Sequence, residues 1–151
     1  MIFSTSAFSQ DYQLDIFCQD INTIIQKIHI HSINLANIKT TRTVSGGPYK
    51  RKLIKSCTKG QCVTVEDSSP AMLVYDPTHP DAEENGYVAY PSFSMEDEQS
   101  KLQKAQTVYE MIFRAHTISA KDLLVGSKYD SCFSKYSYFR KQFDYKSYLG
   151  R

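Results

Sequence analysis

The length of 151 residues allows one domain with a moderate hydrophobic core. A formal net charge of +2 gives no reason to expect a nucleic-acid partner. No apolar run reaches the roughly 18 residues that a membrane-spanning helix needs. The first residues lack the basic start and apolar stretch of a secretory signal, so we expect neither membrane insertion nor a cleaved signal peptide.

Residues 14–37 form the first predicted helix, after a frayed lead-in over residues 1–13. Its apolar positions alternate at spacings of three and four, the heptad pattern of a helix that packs on another helix. These positions are Leu14, Phe17, Ile21, Ile24, Ile28, His31 and Leu35. The predicted hydrated face consists of Asp15, Gln19, Asp20, Asn22, Gln26 and Lys27. Such a stripe needs a partner helix, from this chain or from a neighbour.

Residues 40–91 form a predicted β-rich and extended segment. The basic residues 50–55 and the alternating residues 62–66 predict two strands, with a hairpin turn over residues 58–61. Asn85 and Gly86 predict a second tight turn before a short strand. Asn37, just before this segment, predicts the end of the first helix.

The four cysteines, Cys18, Cys57, Cys62 and Cys132, match neither a zinc framework nor a disulfide scaffold. Cys57 and Cys62 are close in sequence, but no second pair stands at zinc-ligand spacing. We therefore expect free thiols, with a Cys57–Cys62 bridge as the alternative.

His79 stands close to two acidic residues, Asp76 and Asp81, which is compatible with a metal site or with acid–base chemistry. No further ligand lies at a diagnostic spacing. The sequence therefore predicts no catalytic residue, no cofactor and no metal, and the chain is not expected to be an enzyme. A metal-binding protein that uses His79, Asp76 and Asp81 stays open as an alternative.

Residues 94–125 form the second predicted helix. Ser94 is its expected N-cap. Glu96, Asp97 and Glu98 place negative charge in the first turn, where it interacts favourably with the positive end of the helix dipole. The apolar stripe consists of Leu102, Ala105, Tyr109, Ile112, His116, Ser119 and Leu123, and Gly126 is the expected stop.

The tail at residues 127–151 combines eight aromatic and six basic residues. Such interleaving can serve single-stranded nucleic acid by stacking and phosphate contact. More often, a tail of this composition is an appendage or packs on its own protein. A helical binding module with a basic aromatic tail is therefore a second alternative.

Three motifs carry a resemblance to a known family. The first closes the first helix and the second follows a Thr41-Arg42-Thr43 sequence. The motif residues are Asn34, Leu35, Ala36 and Asn37; then Gly46, Gly47, Pro48 and Tyr49; then Tyr75, Asp76, Pro77, His79, Pro80, Asp81, Gly86, Tyr87, Val88 and Pro91. In this order they resemble the bacterial flagellar rod and hook proteins, and among them the FlgC family, over about residues 14–125. Ser92, Phe93 and Ser94 depart from the family's usual Asn-Val-Asp, and the tail departs further.

The resemblance implies a mainly α fold with a small β insertion, in which the terminal helices pair as an antiparallel coiled coil. It implies a structural subunit of the proximal rod that transmits torque and lies in the periplasm-spanning basal body. The implied partners are the rod proteins FlgB, FlgF and FlgG, the rod-base junction protein FliE and the flagellar type III export apparatus, with no nucleic acid. The predicted subunit-contact residues are Phe17, Ile21, Ile24, Ile28, Leu35, Leu102, Ala105, Tyr109 and Ile112.

Overall fold

The computed structural model describes residues 5–120 of the chain, and only the backbone at residues 5–11, 13, 14, 113 and 115–120. The predictions for the tail at residues 127–151, for the stop at Gly126 and for the His116 side chain lie outside what is described. The elements in chain order are helix α1 (Thr5–Ala36), strands β1 (Lys52–Thr58), β2 (Gln61–Glu66), β3 (Met72–Tyr75) and β4 (Tyr87–Tyr90), and helix α2 (Met95–Ala120). The fold thus mixes two long helices with two small antiparallel sheets.

Helix α1 is longer than its heptad pattern, because it begins at Thr5 and not near residue 14. The expected frayed lead-in is therefore wrong from Thr5 onward. Residues 5–13 contain neither glycine nor proline, so nothing in their chemistry interrupts the helix. At the other end, the Asn37 side-chain amide donates to the Ile33 carbonyl at 2.9 Å, which completes the helix end that this residue predicted.

The first sheet is a hairpin in which β1 and β2 pair antiparallel, with Thr58 opposite Gln61. Lys59 and Gly60 form its two-residue turn with φ values of 50° and 74°, the backbone that a tight hairpin requires. The predicted hairpin is confirmed, although β1 begins two residues later than the basic run. In the second sheet Tyr75 pairs with Tyr87, so Asn85 and Gly86 do precede a short strand.

Helices α1 and α2 lie antiparallel and form the main apolar core. Phe17 and Ile21, in the first half of α1, pack with Tyr109 and Ile112 near the far end of α2. At the opposite end, Asn34 of α1 meets the first turn of α2. Ser94 caps that turn as predicted, since its hydroxyl accepts the backbone N–H of Asp97 at 3.1 Å.

The β1–β2 hairpin packs on a second side of α1, and this corrects the predicted hydrated face. Asn22 is only 5% exposed, and its side chain and that of Gln26 donate to the Gly60 carbonyl at the hairpin turn. Ile30, outside the predicted stripe, is also buried. Because α1 is covered both by α2 and by the hairpin, it buries a wider arc than a heptad stripe describes.

The expectation of free thiols is wrong for the described cysteines Cys18, Cys57 and Cys62, none of which is free. The sulfurs of Cys57 and Cys62 are joined at 2.09 Å. The hairpin register places the two residues directly opposite each other, with their Cα atoms 4.0 Å apart. Within residues 5–120 there is no free cysteine. Neither described helix is long and apolar enough to span a membrane.

Candidate functional site

The end of α1, the segment that leads into β1, and the first turn of α2 meet in a buried cluster of polar side chains. We call this cluster the polar junction, and its members are His31, Asn34, Tyr49, Arg51 and Glu98. The side chains of Asn34 and Glu98 are fully buried. Burial of a carboxylate and an amide is costly unless their hydrogen-bonding groups find partners.

Asn34 satisfies its side chain completely. Its amide nitrogen donates to the Lys52 carbonyl at 2.9 Å and to Glu98 Oε2 at 3.1 Å. Its oxygen accepts from the Tyr49 hydroxyl at 2.8 Å and from the Lys52 N–H at 2.9 Å. With two donors and two acceptor positions in use, Asn34 joins the end of α1 to the start of β1.

Glu98 receives donors on both carboxylate oxygens. Oε2 accepts from His31 Nδ1 at 2.8 Å as well as from Asn34, while Oε1 accepts from Arg51 Nε at 2.7 Å and is also contacted by Arg51 Nη2. Burial alone would raise the pKa of the Glu98 carboxyl, but the hydrogen bonds from His31, Asn34 and Arg51 outweigh it and lower that pKa. The junction therefore holds an ionised glutamate.

Arg51 is fixed from several directions. Besides Glu98, its guanidinium binds Asp97 at 2.9 Å and lies over the Phe93 ring, 5.5 Å from the ring centre. Burial and then the charge of Glu98 raise the pKa of Tyr49, so its hydroxyl stays protonated and donates to Asn34. Phe93, which departs from the family pattern, thus packs against the junction. The hydrogen bonds and ion pairs of the junction thus fix the relative positions of α1, the segment before β1 and the start of α2.

The proposed metal ligands serve to shape a loop. Asp76 Oδ1 accepts the backbone N–H of Thr78 at 3.1 Å and its hydroxyl at 2.7 Å. His79 Nδ1 accepts the backbone N–H of Asp81 at 3.0 Å, which occupies a nitrogen lone pair that a metal would need. Among the described residues no group of three histidine, cysteine or acidic side chains converges on one point.

Hydrogen bonds connect the three sequence motifs, either directly or through the loop that precedes the second motif. The Tyr49 hydroxyl connects the second motif to Asn34 of the first. The Asp81 carboxylate, in the third motif, accepts from the Thr41 hydroxyl at 2.7 Å and pairs with Arg42 at 2.8 Å. The motifs thus fix how α1, the following loop and the 75–91 segment sit against one another, a connection that their separate positions in the sequence do not reveal.

Two sheet faces leave apolar side chains uncovered. On β3 and β4, Leu73, Tyr75 and Tyr87 share the outer sheet face, and Tyr75 is 64% exposed. On β2, Val63 and Val65 form the outer hairpin face, opposite to the one that contains Cys62. Clustered apolar surface of this kind is typical of sites where other proteins bind.

The predicted subunit-contact residues fall into two groups. Phe17, Ile21, Ile28 and Ala105 are buried within this chain, at the packed helices. The half-buried residues are Ile24, Leu35, Leu102, Tyr109 and Ile112. Contact with a neighbouring subunit stays a prediction for all nine, and the half-buried group is the part that an incoming subunit can still reach.

Sequence reasoning missed the roles of Arg51 and Glu98. The sequence placed Glu98 at a helix start and Arg51 on an exposed basic strand, and both assignments are locally reasonable. The one available signal was Asn34, a polar residue beside Leu35 at the end of the apolar stripe of α1. A buried amide requires polar partners from elsewhere in the chain, but no spacing rule identifies them.

No protein-family model matches the chain. Several individual curated proteins, however, are similar to it in sequence. The chain is 32% identical to the flagellar basal-body rod protein FlgC of Borreliella burgdorferi and 33% identical to that of Bacillus subtilis, and each match covers 56% of this chain and 73% of the relative. It is 27% identical to FlgC of Salmonella typhimurium over 67% of this chain and 86% of the relative.

The fold is an antiparallel pair of long helices joined at one end by a polar junction, and the relatives that the chain matches are structural proteins of the flagellar rod. The similarity extends over most of each relative. The chain belongs to the FlgC family of flagellar basal-body rod proteins.

Proposed function

We propose that this chain is a structural subunit of the proximal rod of a bacterial flagellum and transmits torque there. The observation that carries the proposal is the similarity to FlgC, whose members are rod proteins by name. The polar junction supports it physically. A torque-bearing subunit must keep its elements in fixed relation, and fully paired buried polar groups favour one arrangement over its alternatives.

In the proposed assembly, the terminal helices pair as an antiparallel coiled coil and contact neighbouring subunits. The half-buried residues Ile24, Leu35 and Leu102 provide apolar surface for that contact. The outer sheet face adds Leu73 and Tyr75, which stand far from the core that the helices form. Repeated contacts of this sort between copies in head-to-tail order produce a helical filament.

The proposed partners are the rod proteins FlgB, FlgF and FlgG, the junction protein FliE and the flagellar type III export apparatus. The proposed location is the periplasm-spanning part of the basal body. The Cys57–Cys62 disulfide supports this location, because such bonds persist in oxidising compartments such as the periplasm.

Complementation of a strain that lacks the chain tests the proposal. Ile24→Asp places a charge on the helix surface, and Leu73→Asp places one on the outer sheet face. We expect both variants to lose motility, because a buried unpaired charge opposes contact at either surface. Val44→Asp is the matched control, since Val44 is fully exposed in a loop outside both surfaces, and it should swim normally. Normal swimming with both Ile24→Asp and Leu73→Asp would contradict the proposed contacts.

A further inference from the structure

We propose that the Cys57–Cys62 disulfide is a redox lock, which holds the hairpin tip on helix α1 and so allows the chain to assemble only after this pair is oxidised. The hairpin tip is residues 58–61. Docking of the tip is a property of the chain by itself. The consequence for assembly rests on the proposed rod function.

The disulfide lies where it controls the tip. Cys57 and Cys62 are opposite each other, one pair before the turn, and their close Cα atoms mark a pair that exchanges no backbone hydrogen bonds. The Cys62 N–H consequently points away from β1. It donates to Gln26 Oε1 on α1 at 3.0 Å. Cys62 thus closes the hairpin through its sulfur and also donates a backbone hydrogen bond to the helix.

The tip fits on α1 in a close and specific way. The Gly60 carbonyl accepts from Asn22 Nδ2 and, at 2.6 Å, from Gln26 Nε2. A Cβ added at Gly60 would lie 3.0 Å from the Cα of Gln19, so the turn approaches the helix backbone nearly as closely as glycine allows. The buried amide of Asn22 and the half-buried amide of Gln26 therefore both use the tip as a hydrogen-bond partner.

One residue of the turn, Lys59, has a backbone conformation that its side chain disfavours. Lys59 has a φ of 50°, in the left-handed region that side-chain-bearing residues rarely adopt. Such a residue keeps this backbone when the surrounding structure enforces it. In the oxidised chain the covalent ring enforces it. After reduction, the ladder next to the turn and the hydrogen bonds from Asn22 and Gln26 must hold the tip, and a two-stranded hairpin is marginally stable by itself.

The switching step is thiol–disulfide exchange with a partner dithiol–disulfide protein. In the locking direction, a thiolate of Cys57 or Cys62 attacks the partner disulfide and forms a mixed disulfide. The second cysteine of the pair then attacks the sulfur of the first cysteine in the mixed disulfide. The Cys57–Cys62 bond forms, and the partner leaves as a dithiol. Two electrons pass to the partner, and the protons from the two cysteines end on its thiols.

Locking the tip also sets the direction of the outer hairpin face. Val63 and Val65 lie on the face opposite to Cys62, so a docked tip directs them away from α1. When the tip leaves, this apolar face loses its fixed position and the Asn22 side of α1 loses its cover. The oxidised chain therefore offers a defined surface to a neighbouring subunit, and the reduced chain does not.

Amide exchange in the full chain tests the lock. In C57S/C62S, which leaves the other two cysteines in place, we expect the amide at position 62 to exchange at least about tenfold faster than in the unaltered chain, while the amides at positions 98–112 keep their rates. Ser56→Ala is the control on the same strand and should change neither. An unchanged rate at position 62 would overturn the lock. C57V/C62V, which keeps an apolar cross-strand pair without the bond, must give the same result as C57S/C62S and decides the matter if the serine variant does not fold.

Complementation separates the lock from the rod function. If the unaltered chain restores motility and C57V/C62V does not, the proposal that oxidation gates assembly is supported. Full motility with C57V/C62V, in spite of fast exchange at position 62, would overturn the gating. If the unaltered chain itself fails to enter the rod, the rod function fails, and the exchange measurement still decides whether the lock exists.

Discussion

At the scale of single residues, the polar junction rests on two side chains with different tasks. Asn34 connects elements through neutral hydrogen bonds to Tyr49 and Lys52. Glu98 brings a negative charge into a buried place, where Arg51 compensates it. Removal of either side chain takes a hydrogen-bond partner from several groups in or beside this buried place, which costs more than a single hydrogen bond contributes.

Asn34→Ala is expected to lower the free energy of unfolding by about 3 kcal/mol, because it leaves the Tyr49 hydroxyl and both backbone groups of Lys52 without partners. Asn37→Ala is the control within the same motif. It removes a local bond to Ile33 and should cost about 1 kcal/mol. Urea unfolding measures both values. If both variants lost the same free energy of unfolding, the polar junction would contribute no more to stability than the local bond at the helix end.

Glu98→Gln is expected to cost about 2 kcal/mol near pH 7, since Arg51 loses the charge that compensates it. The pKa of Glu98 is lowered in the folded chain, so its charge stabilises above the unfolded value of 4.5 and that contribution fades as pH falls through the folded value. The difference between the two proteins should therefore shrink in acid. Glu110→Gln, at an exposed position, is the control and should show little difference at any pH. A difference for Glu98→Gln that stays constant down to pH 2 would contradict the charge argument.

At the scale of elements, the sequence predicted what local chemistry determines. The heptad stripe, the Ser94 cap, the two tight turns and the Asn37 helix end were all predicted, because each depends on a few neighbouring residues. The sequence did not predict that the hairpin covers the Asn22 side of α1, nor that Arg51 and Glu98 meet across 47 positions. These contacts depend on where whole elements come to lie. The Cys57–Cys62 bond lies between locally determined features and contacts between distant elements. A two-residue turn determines that these two residues stand opposite each other, so the local sequence brings them together.

In the turn before β4, Gly86 occupies a position that a larger residue would strain. Gly86 has a φ of 80°, and a Cβ there would lie 2.7 Å from Cε2 of Tyr75. Gly46 has a φ of 85° with open space around it. We expect Gly46→Ala to cost about 1 kcal/mol for its backbone alone and Gly86→Ala about 1–2 kcal/mol more. If Tyr75→Ala does not relieve the excess in a double-mutant cycle, the steric explanation is wrong.

At the scale of the whole molecule, the chain supplies the partner helix that its first heptad stripe requires. Phe17 and Ile21 pack against α2 of the same chain. Some of the predicted subunit-contact residues are therefore already buried within the isolated chain. The sequence left open whether the partner comes from this chain or another. What remains for neighbours is the half-buried edge of the helix pair and the open sheet faces.

Hydrogen exchange of the isolated monomer tests this division. Amides at positions 17–34 and 98–112 should exchange slowly, because both segments lie in the packed helix pair and polar junction. Amides of β3 should exchange faster, since all four of its residues are exposed. Fast exchange throughout both helices in a demonstrated monomer would mean that a neighbouring subunit is needed to complete the core.

The most direct test of the central proposal, that this chain is a rod subunit, is its presence in purified basal bodies. Basal bodies are isolated from motile cells that produce the tagged chain and are analysed by quantitative mass spectrometry, with Val44→Asp as the control for the tag and the exposed loop. The account predicts that the chain is retained at a fixed ratio to the other rod proteins and that Leu73→Asp is lost. A motile cell whose purified basal bodies lack the chain would contradict it.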